Sequence, residues 1–387
     1  MSATPNRERD DFGSVLVIGL GLIGGSIAAA AHRLDPAPTV YGVDVDAATL
    51  FVAVESGVVD AAARPDVARS NGWLSGDGVD LIVLATPVAQ TIEWLGVLAE
   101  AGYAGVVTDV ASTKSRVVEA AEALNGVAFT FIGGHPMAGS ERSGIDAARK
   151  DLFDGAYYVL TPGVAAGADE FRRLHSFISS LGARVVCVDP AAHDESVAII
   201  SHVPHVAAAA LIELANSRAA EGGEDLLRLA AGGFKDMTRI AAGSAELWTG
   251  ICMDNADAIT TGLRDLRHVI AEFEQLVGAR DVEGMRVWLS RAAEVRRSLP
   301  TQWVPATSRL SELTLPVSDR PGVISAVTTA VGRAGCNIED IEIDHQSEDS
   351  AVLRLVLTDE GDVHGLMGDL ARRGFEPQLR SLEEGSE

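Results

Sequence analysis

Val15-Leu-Val-Ile-Gly-Leu-Gly-Leu-Ile-Gly-Gly-Ser26 decides how the rest of the chain is read. Val15 to Ile18 are aliphatic, as a buried strand requires, and Gly19-x-Gly21-x-x-Gly24 follows at once. Gly19 permits a tight turn, Gly21 lets a pyrophosphate approach the backbone, and Gly24 lets the next helix pack on the strand. Leu22 and Ile23 open that helix, whose first N–H groups point at phosphate charge. Asp44 stands at the end of the following strand, where a carboxylate accepts from both ribose hydroxyls. It would also repel a 2′-phosphate, so the pattern predicts NAD rather than NADP. The competing reading is a glycine-rich turn with Asp44 as a helix N-cap.

Working outward, residues 13–188 alternate short aliphatic runs with helical patterns. Ser14 to Ile18, Val40 to Val43, Leu81 to Leu84, Gly105 to Thr108 and Phe129 to Ile132 read as strands. Val88 to Ala101 and Lys114 to Leu124 read as helices between them. Such alternation predicts an α/β, Rossmann-like domain with a parallel sheet and helices on both faces. Tyr157 to Thr161, Asp169 to Leu181 and Arg184 to Val188 add a strand, a helix and a strand. Ligands of such sheets bind at strand carboxyl ends, which here carry Thr86-Pro87, Asp109 with Ser112, and His135. A histidine between a strand end and a Gly/Ser loop is well placed as a general base, and a structural His-Pro turn is the alternative.

Residues 189–302 change character. Ser196 to Ala219, Ala245 to Val277 and Val282 to Leu299 have helical period and no strand-like alternation. An all-helical domain that pairs with a copy of itself is expected, hence a homodimer. Past a linker at Pro300 and Pro305, residues 310–387 read β-α-β-β-α-β, a small ferredoxin-like module.

Composition narrows the function. The chain has 387 residues, 47% of them hydrophobic, and a net charge of −24. That charge repels phosphate backbones and anionic lipid, so neither nucleic acid nor a membrane surface is expected as a partner. Cys187, Cys252 and Cys336 are too few and too scattered for a disulfide framework or a thiolate metal site, and no metal is expected. Met1 to Phe12 is polar and charged, unlike a signal peptide, and the apolar run from Val15 to Ala31 reads as strand–turn–helix. No other run is expected to reach spanning length, which predicts a soluble, cytoplasmic protein.

The motifs together resemble the prephenate/arogenate dehydrogenase family. They are the glycine loop, Leu84-Ala-Thr-Pro-Val88, Asp109-Val-Ala-Ser-Thr-Lys114 and His135-Pro-Met-Ala-Gly-Ser-Glu-Arg-Ser-Gly144. His193-Asp194, Ser201-His-Val-Pro-His205 and Gly232-Gly-Phe-Lys-Asp-Met-Thr-Arg239 continue them in family order, over about residues 14 to 300. Asp319-Arg-Pro-Gly322 with Gly335-Cys-Asn-Ile338 resembles an ACT domain, an amino-acid-sensing appendage.

The resemblance implies NAD-dependent oxidative decarboxylation of prephenate, with arogenate as the alternative substrate and a non-catalytic NAD/amino-acid sensor as the remote one. It implies His135 as the base for the substrate hydroxyl and Ser112 as its hydrogen-bonding serine. Arg239 would pair with a substrate carboxylate, His202 and His205 would line the pocket, and Ser140 would lie beside it. Glu141, Lys235 and Asp236 are gating candidates, while His193 and Trp248 match pocket or interface positions. Gly19, Gly21, Leu22, Ile23, Gly24, Asp44, Thr86, Pro87 and Asp109 are the expected NAD contacts. In the C-terminal module Asp319, Arg320, Gly322 and Asn337 would meet a regulatory ligand, with tyrosine expected as the feedback ligand. His202 and His205, three apart on one helical face, also suit plain packing, and Lys235, Asp236 and Arg320 also suit solvated turns.

Overall fold

The structure is a computed structural model; it describes residues 11–381 except 76–77, 141, 222–226, 299–309, 319, 321, 348–349 and 359–360. Glu141, Asp319 and the Pro300–Pro305 linker lie outside the described residues. One compact unit runs to His193 and takes in the C-terminal module, and a second begins at Asp194.

The first unit opens with β1 (Ser14–Ile18), α1 (Leu22–Ala31), β2 (Thr39–Val43), α2 (Ala47–Glu55), β3 (Ala61–Ala63) and α3 (Pro65–Ser70). It continues with β4 (Leu81–Leu84), α4 (Val88–Glu100), β5 (Val106–Asp109), α5 (Ser115–Glu122) and β6 (Thr130–Pro136). β7 (Tyr157–Pro162), α6 (Ala168–Ser180) and β8 (Arg184–Cys187) complete the nucleotide-binding fold. All eight strands form one sheet, ordered β3-β2-β1-β4-β5-β6-β7-β8. β4 and β5 are buried throughout and β1 nearly so, which is why they read as unbroken aliphatic runs. The chain reverses its direction of travel across the sheet between β1 and β4, so a crevice opens at their carboxyl ends. The sheet is parallel except at β6–β7, where His135 lies opposite Val159. Among the described residues, the stretch joining those two strands holds a 3₁₀ turn at Ile145–Ala147 and no helix long enough to cross the sheet and keep them parallel. β3 is three alanines at the sheet edge, with no alternation or branching to mark it in sequence.

The C-terminal module comprises β9 (Leu310–Ser318), α13 (Val323–Arg333), β10 (Ile338–Ser347), β11 (Ser350–Thr358), α14 (Val363–Arg372) and β12 (Gln378–Ser381). Helices α7 to α12 belong to the second unit and its approach. The module has the expected β-α-β-β-α-β order, in an antiparallel sheet ordered β10-β11-β9-β12. It is not a separate bead. Val327 and Val331 of α13 belong to the same buried core as Ile178, Val185 and Cys187 of the nucleotide domain. Val188 N–H donates to Leu160 O on the β7 side. The Cys187 carbonyl, one residue back, therefore faces the open edge, where a Cβ on Gly332 of α13 would collide with it. Ser325 Oγ donates to Pro162 O at 2.8 Å, and His175 Nε2 meets Ile338 O at 3.1 Å. Burial pushes the Cys187 thiol up to about 12 and the His175 imidazole down to about 4.

After β8, α7 (Pro190–Val197) passes into a π-helical segment, Ala198–His202, and then α8 (Val203–Ala220). α9 (Gly232–Thr238), α10 (Ala245–Asp254), α11 (Ala256–Gly278) and α12 (Val282–Ser298) follow. The expected single helix from Ala245 to Val277 is broken at Asn255. Its side-chain amide leaves the local ladder, donating to Asp194 O at 2.7 Å and meeting His202 Nδ1 at 3.3 Å. The continuous run Pro190–Ala220 is long and apolar enough to cross a bilayer by length and composition, which the sequence reading did not anticipate. His193, Asp194, His202 and His205 along it are buried, while only 33% of its apolar window is.

Candidate active site

Backbone geometry at β1–α1 is built for a dinucleotide. Gly19 has φ +96°, and a Cβ there would strike the Ala85 carbonyl and the Thr86 side chain. Gly24 faces the Gly19 carbonyl and Val17, so any side chain would separate helix from strand. At Gly21 an added Cβ meets nothing within 4 Å, which leaves room for a phosphate. α1 has no side-chain N-cap and no acid in its first turn, so no side-chain cap consumes the first N–H groups, those before Gly25, whose N donates to Gly21 O. Asp44 accepts from Leu20 N at 2.8 Å and from Asp46 N at 3.0 Å. Half-exposed, it retains lone pairs for a ribose. Asp46, not Asp44, caps α2 by accepting from Ala48 N and Thr49 N, which removes the N-cap alternative for Asp44. Pro87 stands at the N-terminus of α4, and Thr86 Oγ1 lies 3.0 Å from Thr91 Oγ1. An apolar cleft of about 520 Å³ takes in Val45, the residue after Asp44, with Leu74, Gln90, Trp94 and Val97. Sequence reading missed this cleft, because its residues come from three separate helices and loops. These residues fit NAD.

Asp109 has a different job from the expected cofactor contact. It is fully buried, and both oxygens are used inside the protein. Oδ1 accepts from Gly134 N at 3.0 Å, while Oδ2 accepts from Ala111 N and pairs with the equally buried Lys114 ammonium. Lys114 Nζ in turn donates to Gly134 O at 2.7 Å. One ion pair thus clamps both polar groups of Gly134, the residue before His135. A Cβ at Gly134 would meet the Asp109 carbonyl, Thr108 and Tyr158. Burial and the Asp109 charge push the Tyr158 hydroxyl upward, so it stays protonated.

His135 stands near the end of β6, half-buried. Its Nδ1 lies 2.8 Å from Nε2 of His193, with the rings edge to face at 77°. His193 comes to that point because Asp189 caps α7 through Ala191 N and Ala192 N, and because His193 N donates to Asp189 O. The expected Ser112–His135 hydrogen bond is not formed. Among the described residues, half-buried Ser112 makes no hydrogen bond, and His193 meets the ring instead. Ser140 is exposed, its Oγ accepting from Arg142 N at 3.1 Å.

In the second unit, His205 stacks on Trp248 at 3.5 Å between centroids and 15° between planes, and His202 meets the same indole edge to face. Gly243 permits this, since a Cβ there would strike Trp248 and crowd His205. Burial lowers the His205 pKa, and its Nδ1 is buried with no partner among the described residues. Lys235, Asp236 and Arg239 lie exposed on α9 and the 3₁₀ turn after it.

The chain matches three family descriptions in order. They are "Prephenate dehydrogenase, nucleotide-binding domain" over residues 27–187, "Prephenate dehydrogenase, dimerization domain" over 189–291, and "ACT domain" over 313–375. It is 34% identical to a prephenate dehydrogenase of Bacillus subtilis, over 92% of this chain and 94% of that one. A solved prephenate dehydrogenase of A. aeolicus, in complex with hydroxyphenyl propionate and NAD+, superposes with a TM-score of 0.68 at 26% identity. That match covers 74% of this chain and 98% of that chain. A solved arogenate dehydrogenase of Synechocystis gives 0.62 at 33% identity, covering 74% and 100%.

Proposed function

Because the chain belongs to the prephenate dehydrogenase family, its reaction is the NAD-dependent oxidation of prephenate with loss of carbon dioxide, and we propose the following roles for its residues. The bound cofactor supplies the hydride acceptor. Gly19, Gly21, Gly24 and the N–H groups of Leu22 and Ile23 hold its pyrophosphate, Asp44 its ribose, and the cleft at Val45 and Trp94 its adenine. Thr86 and Pro87 shape the crevice toward the nicotinamide. His135 takes the ring hydroxyl proton as the alcohol carbon becomes a carbonyl. The para carboxylate then leaves as carbon dioxide, and aromatisation makes the step effectively irreversible. Arg239 pairs with a substrate carboxylate, which matters in a chain of net charge −24 that would otherwise repel a dianion. His202, His205 and Trp248 present aromatic and imidazole surface to the substrate, and Ser112, Ser140, Lys235 and Asp236 border it.

The observation that carries this reading is the placing of His135 at the cofactor end of β6 on a clamped Gly134. Replacing His135 by Asn is expected to lower turnover by about 10²–10⁴-fold, with a smaller effect on KM. Near-full turnover would remove the assignment. The similarity to an arogenate dehydrogenase favours a second reading, in which the ring's side chain carries an ammonium and the product is tyrosine. Steady-state rates on both substrates separate the two.

The C-terminal module is proposed to bind tyrosine as a feedback ligand. Two features support an amino-acid site: Gly322 opens α13 at φ +88° with no side-chain cap, and Asn337 Oδ1 is buried with no partner among the described residues. Arg320, exposed beside that turn, is a further contact. Ile199, Ile200, Leu214, Val269 and Ile270 of the dimerisation domain are large apolar residues left exposed in the single chain, as a dimer interface requires. The net charge of −24 supports the reading of a soluble, cytoplasmic enzyme.

A further inference from the structure

We infer that His193 is a positioning residue for the catalytic base, holding His135 in the one tautomer that can accept the substrate proton. The inference rests on the reading of His135 as that base. A neutral imidazole has one N–H and one lone pair, and which nitrogen carries which is set by the partner of the other. His135 Nδ1 faces His193 Nε2 at 2.8 Å, so one of the two must donate. If His193 donated, His135 would hold its lone pair at Nδ1 and its proton at Nε2, and the base would be spent on its neighbour. With His135 Nδ1–H donating, the lone pair sits at Nε2, the nitrogen through which a base so held would act.

Proton balance favours the second arrangement further. When the substrate O–H bond breaks and an N–H bond forms at His135 Nε2, the ring becomes an imidazolium whose Nδ1–H is a stronger donor. His193 Nε2 then accepts a charge-assisted hydrogen bond and stabilises the product of proton transfer. This requires neutral His193 with its own proton at Nδ1. The local structure suits a fixed partner. His193 is 2% exposed, and its backbone is anchored by the Asp189 cap in the first turn of α7. The rings stand at 77° to one another, so the two imidazoles meet through their nitrogens at 2.8 Å and do not stack.

The test uses the full-length enzyme with prephenate and NAD+. His193→Leu keeps the bulk and removes the acceptor, whereas His193→Gln keeps a carbonyl able to accept from Nδ1–H. We expect His193→Leu to lower kcat by about 10²-fold or more while KM moves less than about threefold, the pattern of a group that acts in the transition state. His193→Gln is expected to recover most of that loss. In ¹⁵N-histidine-labelled protein, the wild type should show His135 protonated at Nδ1, and His193→Leu should lose that preference. Equal losses in both variants with NAD+ binding intact, or an unchanged tautomer, would overturn the inference. Wild-type kcat in His193→Leu beside an inactive His135→Asn would overturn it while sparing the base. An active His135→Asn would remove the base itself.

Discussion

Lys114→Met removes the cation that neutralises Asp109 at the centre of the nucleotide domain. Both side chains are fully buried, so water cannot take over the role of the ammonium. What remains for the carboxylate is two backbone donors, Gly134 N and Ala111 N, and Gly134 O loses its Nζ donor at 2.7 Å. Breaking a buried pair from one side costs about 3–5 kcal/mol, most of it the energy of a stranded charge. For a folding unit of this size, 1 kcal/mol lowers Tm by about 2–4 °C, so a fall of about 6–20 °C is expected. Thermal unfolding followed by circular dichroism reads it directly. Pairing the change with Asp109→Asn removes the stranded charge and should restore about half or more of the loss. Turnover at a temperature where Lys114→Met is folded should also fall, since Gly134 positions His135. A Tm within about 2 °C of the wild type, or a double variant no better than the single, would refute the reasoning.

Three other outcomes are expected. Asp44→Ser should raise the KM for NAD by about tenfold and relax the exclusion of NADP, measured as the ratio of kcat/KM for the two cofactors. His175, neutral when folded at a pKa of about 4 but ordinary at 6.5 when unfolded, binds more protons in the unfolded state between those values. Its contribution is therefore lost as pH falls through that window, up to about 3 kcal/mol, and urea midpoints in His175→Leu should flatten over pH 4–6.5. Asn337→Leu should raise the tyrosine concentration needed for half-inhibition by about tenfold, leaving the uninhibited rate unchanged.

What could be read in advance followed from periodicity and from turns with a fixed backbone demand. Val15–Ile18 with its glycines located β1, the turn and α1 because only glycine meets the requirements at Gly19 and Gly24. The β-α-β-β-α-β order of the last module was equally plain, since its strands alternate. What failed were features decided across the chain. Asp109 stood at the correct strand end for a ligand contact, and nothing local told that Lys114 would fold back to bury it. The His135–His193 contact joins residues 58 apart, with no spacing to betray it. Asn255 looked like any helical position because its partners, Asp194 O and His202, are supplied by another helix. Ala61–Ala63 forms a strand only because an edge is there to extend.

The seat of α13 on the outer rim of β8 has a consequence in time. Ribosomes deliver the nucleotide domain first, and Cys187 emerges long before Gly332. At about 5–20 residues per second, the 145 residues between them take about 7–30 s to synthesise. Throughout that interval β8 carries an unpaired carbonyl row and uncovered aliphatic neighbours, Val185 among them, the kind of rim on which nascent chains stick to one another. Chains halted or cleaved before residue 333 would keep that rim permanently. The yield of soluble protein should therefore depend on the last seventy or so residues, through synthesis and independently of any small molecule they bind.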